Sequence, residues 1–220
     1  NRNVMIYAPF EAAFTPWNEG QKVVDILNSS DFKFQITYLK NQDATISSIY
    51  NLTDYGYVVL ATHGSGGKVF LSGEQVDTTL AIYTSSYKTM LKAGKISISK
   101  NLVVKKNGAV SVKADVYGIR FPFISDLAGK FPNSVILNNS CESTKSAELE
   151  NAFIGKGAKT YYGYSKIVSS RFCIENADTL TRRLAKDLKT TGNSFLAGSD
   201  PYSTHNAAFQ MKGANDVYYP

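Results

Sequence analysis

Two apolar runs, each followed by a reactive side chain, constrain the fold of this chain more than any other feature. Residues 55–64 read YGYVVLATHG, and residues 134–143 read SVILNNSCES. Their apolar parts are continuous rather than alternating, which is typical of strands buried on both faces of a parallel sheet. The chain has two histidines and two cysteines, and one of each, His63 and Cys141, follows these runs.

Strands and helices alternate along most of the chain, which predicts a mostly parallel sheet with helices on both faces. The predicted strands cover 4–10, 32–39, 55–62, 134–140 and 159–167, with a terminal strand near 216–219. The predicted helices are one that Pro16 opens and others over 43–50, 146–158, 171–190 and 204–212. The absence of a linker or an internal repeat leads us to expect one domain over 1–220.

Residues 66–133 interrupt this alternation. The stretch 68–76 resembles a hairpin, and 95–118 alternates around Asn107-Gly108, a pair that favours a type I′ turn. We interpret 66–133 as an antiparallel β insertion between the strands that carry His63 and Cys141. Because the insertion begins just after His63, we also expect it to flank the site.

Composition excludes several classes of function. The formal net charge is +6, but the basic residues are dispersed and form no nucleic-acid-binding motif, so we expect no nucleic-acid partner. No apolar run is long enough to span a bilayer, which takes about 20 residues. The sequence lacks CxxC and HExxH motifs, and HGSGGK fails the spacing of a phosphate-binding loop, so we expect no metal site and no cofactor.

The positions of His63 and Cys141 favour a functional site. Ligands of open parallel sheets bind beyond the carboxyl ends of the strands, where both residues would lie. A helix beginning near 144–146 would direct its N-terminal amides toward Cys141 and favour the thiolate. Glu142 would oppose that shift, so we expect no strong depression of the thiol pKa. A single buried cysteine is usually a small hydrophobic residue, and a single histidine at a strand end is usually only polar. The pair at equivalent strand ends is harder to explain in this way.

The two motifs resemble those of the caspase-like cysteine peptidases, which include caspases, legumains, gingipains, clostripain, separase and CHAT domains. In that superfamily one hydrophobic strand ends in His-Gly and a later one ends in a small residue followed by Cys, as THGSGG and NSCES do here. The segment AELENAFIGKGAKTYYGYSKIV is similar to the helix, turn and strand that follow the cysteine in gingipains and CHAT domains. The resemblance covers 4–64 and 134–190 but not the insertion. The glutamine and glycine that flank the caspase cysteine are absent.

This resemblance implies a fold, a reaction and a substrate. The fold would be a three-layer sandwich around a six-stranded, mostly parallel sheet. Cys141 would attack the scissile carbonyl of a peptide or protein, and His63 would protonate the leaving amine. The amides of Gly64 and Cys141 would bind the oxyanion. The other histidine, His205, is a poor rival because no strand positions it.

The resemblance also implies where the substrate side chain would bind. The pocket would draw on Phe10–Ala13 after the first strand, on Asn139, and on 164–166, so Asn139, Tyr164 and Ser165 are the expected substrate-binding residues. Glu11 would suit an Arg or Lys substrate, and Lys166 would suit an acidic one. The sequence leaves the specificity open.

Two alternatives to an endopeptidase remain at this stage. One is a catalytically silent caspase-like module with a binding or regulatory role, and the other is an acyl hydrolase or transferase that uses the same dyad. We expect Cys141 and Cys173 to be free thiols, with Cys173 facing the core. We further expect a monomer, and a composition rich in Tyr, Asn, Ser and Thr suggests a secreted or extracytoplasmic bacterial protein.

Overall fold

The computed structural model describes residues 1–77, 86–106 and 110–219. Its strands are β1 (Asn3–Ala8), β2 (Gln35–Lys40), β3 (Tyr57–Ala61), β4 (Gly64–Ser65), β5 (Val69–Gln75), β6 (Ile96–Lys106), β7 (Val110–Arg120), β8 (Val135–Asn139), β9 (Thr160–Tyr164), β10 (Gly198–Ser199) and β11 (Ala208–Gly213). Its α-helices are α1 (Glu19–Asn28), α2 (Lys88–Lys92), α3 (Phe121–Ser125), α4 (Glu148–Gly155), α5 (Ser170–Ala185) and α6 (Thr191–Ser194).

The main sheet has seven strands in the order β10-β11-β9-β8-β3-β1-β2. Five neighbouring strands of this sheet pair in parallel, in the order β2, β1, β3, β8 and β9. Beyond β9, the strands β11 and β10 add an antiparallel edge. The mostly parallel sheet predicted from the apolar runs is therefore confirmed, whereas the expected count of six strands is wrong. The additional strands come from the last quarter of the chain.

Alternate side chains of the inner strands are buried on opposite faces of the sheet, which explains why their sequences are continuously apolar. Val59 faces a cluster that includes residues of α1 and α5, whereas Val58 and Leu60 face a cluster that includes residues of α3 and α4. Helices thus cover both faces of the sheet, consistent with a three-layer α/β fold.

The insertion forms a second, antiparallel sheet in the order β4-β5-β7-β6. The alternating stretch 95–118 corresponds to the paired strands β6 and β7, while the predicted hairpin over 68–76 is the single strand β5. The turn predicted at Asn107-Gly108 lies outside the described residues. Phe70 and Ile119 of the second sheet share a hydrophobic cluster with Met5 of the main sheet, so the two sheets are packed around one core.

Three predicted elements differ from the structure. The helix expected over 204–212 is wrong, because β11 pairs there with β9 and buries Phe209 against Tyr162 and Tyr164. The helix expected over 43–50 is replaced by short 3-10 turns. The terminal strand expected near 216–219 is reduced to one bridge between Thr190 and Tyr218. No helix within the described ranges is long and apolar enough to cross a membrane.

Candidate active site

Four loops meet at the carboxyl edge of the main sheet, where they build one cavity. They follow the parallel strands β1, β3, β8 and β9. The last paired residues of β3 and β8 are Ala61 and Asn139, and His63 and Cys141 each come two residues later. His63 and Cys141 both line the cavity, so the structure brings together the two residues singled out by the sequence.

Two phenylalanines from the loop after β1 hold the His63 imidazole. The ring centroids of Phe10 and Phe14 lie 4.7 and 5.0 Å from that of His63. Burial lowers the pKa of His63 below its ordinary value of 6.5, because an apolar environment disfavours the imidazolium. At neutral pH the ring is therefore uncharged, so it can accept a proton.

Cys141 is partly buried and is a free thiol. Its Sγ–H donates to the carbonyl oxygen of Val168 in the loop after β9, with an Sγ···O distance of 3.8 Å. Burial raises the pKa of the thiol above its ordinary value of 9.0 and outweighs backbone hydrogen bonds at Val168 and Cys141, which lower it. The charges of Glu142 and Glu19 add to the rise. The resting pair therefore consists of a neutral thiol and a neutral imidazole.

The raised pKa of Cys141 runs against the shift that we expected from a neighbouring helix N-terminus. The helix after Cys141, α4, begins at Glu148, and the intervening residues form turns. The helix dipole acts mainly within its first turn, so α4 begins too far along the chain to stabilise a Cys141 thiolate.

Two hydrogen bonds tie the loop after His63 to the segment after Cys141, one to the loop itself and one to the first turn of α4. The Gly66 N–H donates to Glu142 Oε2 at 3.0 Å, and the Leu149 N–H donates to the Gly67 carbonyl at 3.0 Å. Gly67 has φ of +67°, and a Cβ there would overlap the Ser146 backbone. These contacts fix the two site loops relative to each other.

Gly64, expected to be an oxyanion donor, lies against the loop that carries Cys141. A Cβ at this position would overlap the Ser140 side chain, so only glycine permits the approach. The structure thus brings the Gly64 backbone close to the residue that precedes Cys141. The assignment of the Gly64 and Cys141 amides as oxyanion donors stays a prediction.

The cavity has a volume of about 80 Å³. Pockets for drug-sized ligands measure about 300–1,000 Å³, so this one suits a single side chain. It is lined by the loops after β1, β3, β8 and β9 and by the first turns of α1 and α5, through Phe14, Glu19, Thr62, His63, Asn139, Cys141, Val168, Ser170 and Cys173.

The three expected substrate-binding residues have different positions. Asn139 lies in the cavity wall, and its Oδ1 accepts a hydrogen bond from the Tyr164 hydroxyl at 3.2 Å. Tyr164 is fully buried and supports Asn139 from outside the cavity lining. Ser165 is also outside the lining, and its Oγ accepts a hydrogen bond from the Ala208 N–H of β11 at 2.9 Å.

The structure adds residues that the sequence did not suggest. Cys173 faces the core, as expected, but it also lines the same cavity as Cys141. Glu19 is the most informative addition, because it is a carboxylate with only 2% of its surface exposed. An acidic residue in the first turn of a helix normally complements the helix dipole, so nothing in the sequence marked Glu19 as a pocket residue.

A second cavity, of about 540 Å³, lies on the other side of His63. Its walls come from the loop after β3 and from the second sheet, through His63, Gly64, Ser65, Val69, Leu71, Ser99, Asn101, Leu102 and Val103. The insertion therefore lies beside His63, as the sequence indicated. His63 therefore lines both the small cavity and the wider groove.

The remaining sequence candidates lie outside both cavity linings. His205 is exposed in a turn, and Lys166 is also exposed. Glu11 is buried, and its Oε1 accepts a hydrogen bond from the Tyr38 hydroxyl. Within the described residues, no group of three or more His, Cys, Asp or Glu side chains could hold a metal ion.

Comparison of the chain with known proteins identifies no family. A scan against models of protein families finds no match, and a search of curated proteins finds no significant similarity.

Proposed function

We propose that this protein is a cysteine endopeptidase of the caspase-like type, with Cys141 as nucleophile and His63 as general base and acid. The observation that carries the proposal is the shared cavity at the carboxyl edge of the sheet, which both side chains line. The site thus pairs a nucleophile with a base, the arrangement that covalent catalysis requires.

The resting protonation states define the first steps of the proposed reaction. The neutral His63 imidazole accepts the thiol proton as Sγ attacks the scissile carbonyl carbon, which forms a tetrahedral oxyanion. The amides of Gly64 and Cys141 stabilise that oxyanion. The imidazolium then gives its proton to the leaving amine, and a thioester remains on Cys141.

Hydrolysis of the thioester completes the cycle. The neutral imidazole takes a proton from water, the hydroxide attacks the thioester carbonyl, and the thiol is released with that proton. The phenylalanine rings that pack on His63 hold it in place through both steps. No hydrogen bond to the His63 imidazole is found in the described part of the chain, so the proposed machinery is a dyad.

The shape of the site favours a peptide over a small acyl substrate. The small cavity beside Cys141 accommodates one side chain, and the groove beyond His63 has room for several further residues. An acyl hydrolase or transferase that acts on a small substrate would leave that groove empty. A silent binding module would have no need for a thiol and an imidazole in one cavity.

Digestion of a peptide library tests the proposal. We expect the wild-type protein to cleave internal peptide bonds and Cys141→Ala and His63→Ala to be inactive. His205→Ala is the matched control and should keep wild-type activity, because His205 is exposed and outside both cavities. Hydrolysis of simple thioesters without peptide cleavage would instead support the acyl hydrolase, and an active His63→Ala variant would contradict the dyad.

A further inference from the structure

The Glu19 carboxylate is a buried acidic group without a partner. It is 2% exposed and lines the cavity that contains Cys141. Within the described residues, no hydrogen bond or salt bridge to its side chain is found. Burying a charge without a partner costs several kcal/mol, so the fold keeps an acid where its own residues supply no counter-ion.

The nearby basic residues have other partners, since Lys22 pairs with Asp178 and Arg171 pairs with Glu175. Burial, and then the charge of Glu11, raise the pKa of Glu19, so the empty cavity favours its neutral form. A cation that enters the cavity would lower that pKa and pair with the ionised carboxylate, for which the described residues supply no counter-ion.

Glu19 lines the same cavity as Cys141 and His63. Within the described residues, no hydrogen bond joins its carboxylate to the His63 imidazole. The carboxylate is therefore not held against His63 and is available to a substrate group that enters the cavity.

Asn139 provides a second unsatisfied group in the same cavity. It is 3% exposed, and its Nδ2 has no hydrogen-bond partner. Buried polar groups are normally paired, so one unpaired donor and one unpaired carboxylate in a small cavity indicate a polar ligand. A peptide carbonyl could accept from Nδ2, and a cationic side chain could pair with Glu19.

We infer that this cavity binds the Arg or Lys side chain of the substrate residue whose carbonyl Cys141 attacks, with Glu19 as its counter-ion. The inference rests on the proposed peptidase function and assigns one of the specificities that the sequence left open. It also replaces Glu11 with Glu19 as the acid that selects the substrate.

Peptide binding to the full chain carrying Cys141→Ala tests the inference without turnover. Two peptides would differ only in arginine or citrulline at the residue before the scissile bond, because citrulline keeps the shape of arginine but lacks its charge. We expect calorimetry to show at least about 30-fold tighter binding of the arginine peptide, as loss of a buried charge partner costs at least that factor.

Adding Glu19→Gln to Cys141→Ala should reduce this preference to about threefold or less. Asp25→Asn is the matched control, because it removes one negative charge from an exposed position on the same helix, and it should keep the preference. Equal binding of the two peptides to Cys141→Ala, or a full preference that persists after Glu19→Gln, would overturn the inference. If the Glu19 variant does not fold, the comparison of the two peptides on Cys141→Ala alone decides.

The inference and the proposed function can fail separately. Library cleavage by the wild-type protein without a preference for basic residues would overturn the inference and leave the peptidase intact. Selective binding of the arginine peptide without any cleavage by the wild-type protein would overturn the peptidase and leave the cation site intact.

Discussion

Replacement of Glu142 tests whether its carboxylate holds the two site loops together. Its Oε2 accepts the Gly66 N–H at 3.0 Å, and its side chain is 18% exposed. Its backbone has φ of +56°, the left-handed region that favours glycine. Glu142→Ala removes the bond and keeps the strained backbone, whereas Glu142→Gly removes the same bond and relieves the strain.

The two variants should therefore differ in stability. A hydrogen bond to a charged group contributes about 1.5–3 kcal/mol, and the ion pair to exposed Lys145 adds less than about 1 kcal/mol. We expect the free energy of unfolding of Glu142→Ala to be about 2 kcal/mol lower than that of the wild type, which lowers Tm by roughly 4–8 °C for a chain of this size. The left-handed conformation costs a non-glycine residue about 1 kcal/mol, so Glu142→Gly should lose only about 1 kcal/mol.

Thermal unfolding as a function of pH measures both effects. The pKa of Glu142 is lowered, chiefly by its hydrogen bond to Lys145 and then by that to Gly66. A lowered carboxyl pKa stabilises the fold above the ordinary value of 4.5, and this contribution is lost as the pH falls through the folded value. The difference in Tm between the wild type and Glu142→Ala should therefore become smaller below about pH 4.5. A Tm equal to that of the wild type at pH 7, or a lower Tm for Glu142→Gly than for Glu142→Ala, would refute this reasoning.

Three further predictions concern buried groups of the site. Glu19→Gln should raise Tm at pH 7 and leave it unchanged at pH 4. A carboxyl whose pKa is raised in the fold destabilises the protein only when the pH exceeds the pKa of that group in the unfolded chain. A lower Tm of the variant at pH 7 would contradict the buried, unpaired charge. Gly64→Ala should destabilise the fold through overlap with Ser140, and adding Ser140→Gly should restore much of the loss in urea unfolding; no rescue would contradict the close approach. Iodoacetamide should alkylate Cys141 of the native protein faster as the pH rises, and it should alkylate Cys173 only after unfolding. Mass spectrometry of tryptic peptides measures both reactions, and equal alkylation rates of the two thiols in the native protein would refute the difference in burial.

The sheet could be predicted from the sequence because strands that are buried on both faces have continuously apolar sequences. The continuous apolar residues of β3 and β8 predicted inner parallel strands, and these strands lie side by side. The same logic placed His63 and Cys141 at one edge, since the carboxyl ends of parallel strands meet there. In contrast, only half of the residues of β11 (AFQMKG) are apolar, and this segment forms a strand because it pairs with β9 and buries Phe209.

Other features of the site depend on packing between distant segments. Glu19 precedes Cys141 by more than a hundred residues, and only the fold shows that its carboxylate enters the same cavity. The expected influence of a helix N-terminus on Cys141 is absent, because the sequence placed the start of α4 too early. The sequence also could not show how far burial raises the pKa of the thiol. Desolvation is a property of the whole environment, so local motifs do not encode it.

Trapping with peptidyl acyloxymethyl ketones tests the central claim most directly. Such a ketone forms a thioether with an activated cysteine and releases a carboxylate, so intact-mass spectrometry detects one adduct per catalytic thiol. A set with arginine, leucine or aspartate before the ketone keeps the test independent of specificity. We expect a single adduct on Cys141 in the wild-type protein and a much slower reaction in His63→Ala. Alkylation of Cys141 by iodoacetamide without reaction with any of the ketones, or equal ketone rates in the two proteins, would contradict a cysteine peptidase built on this dyad.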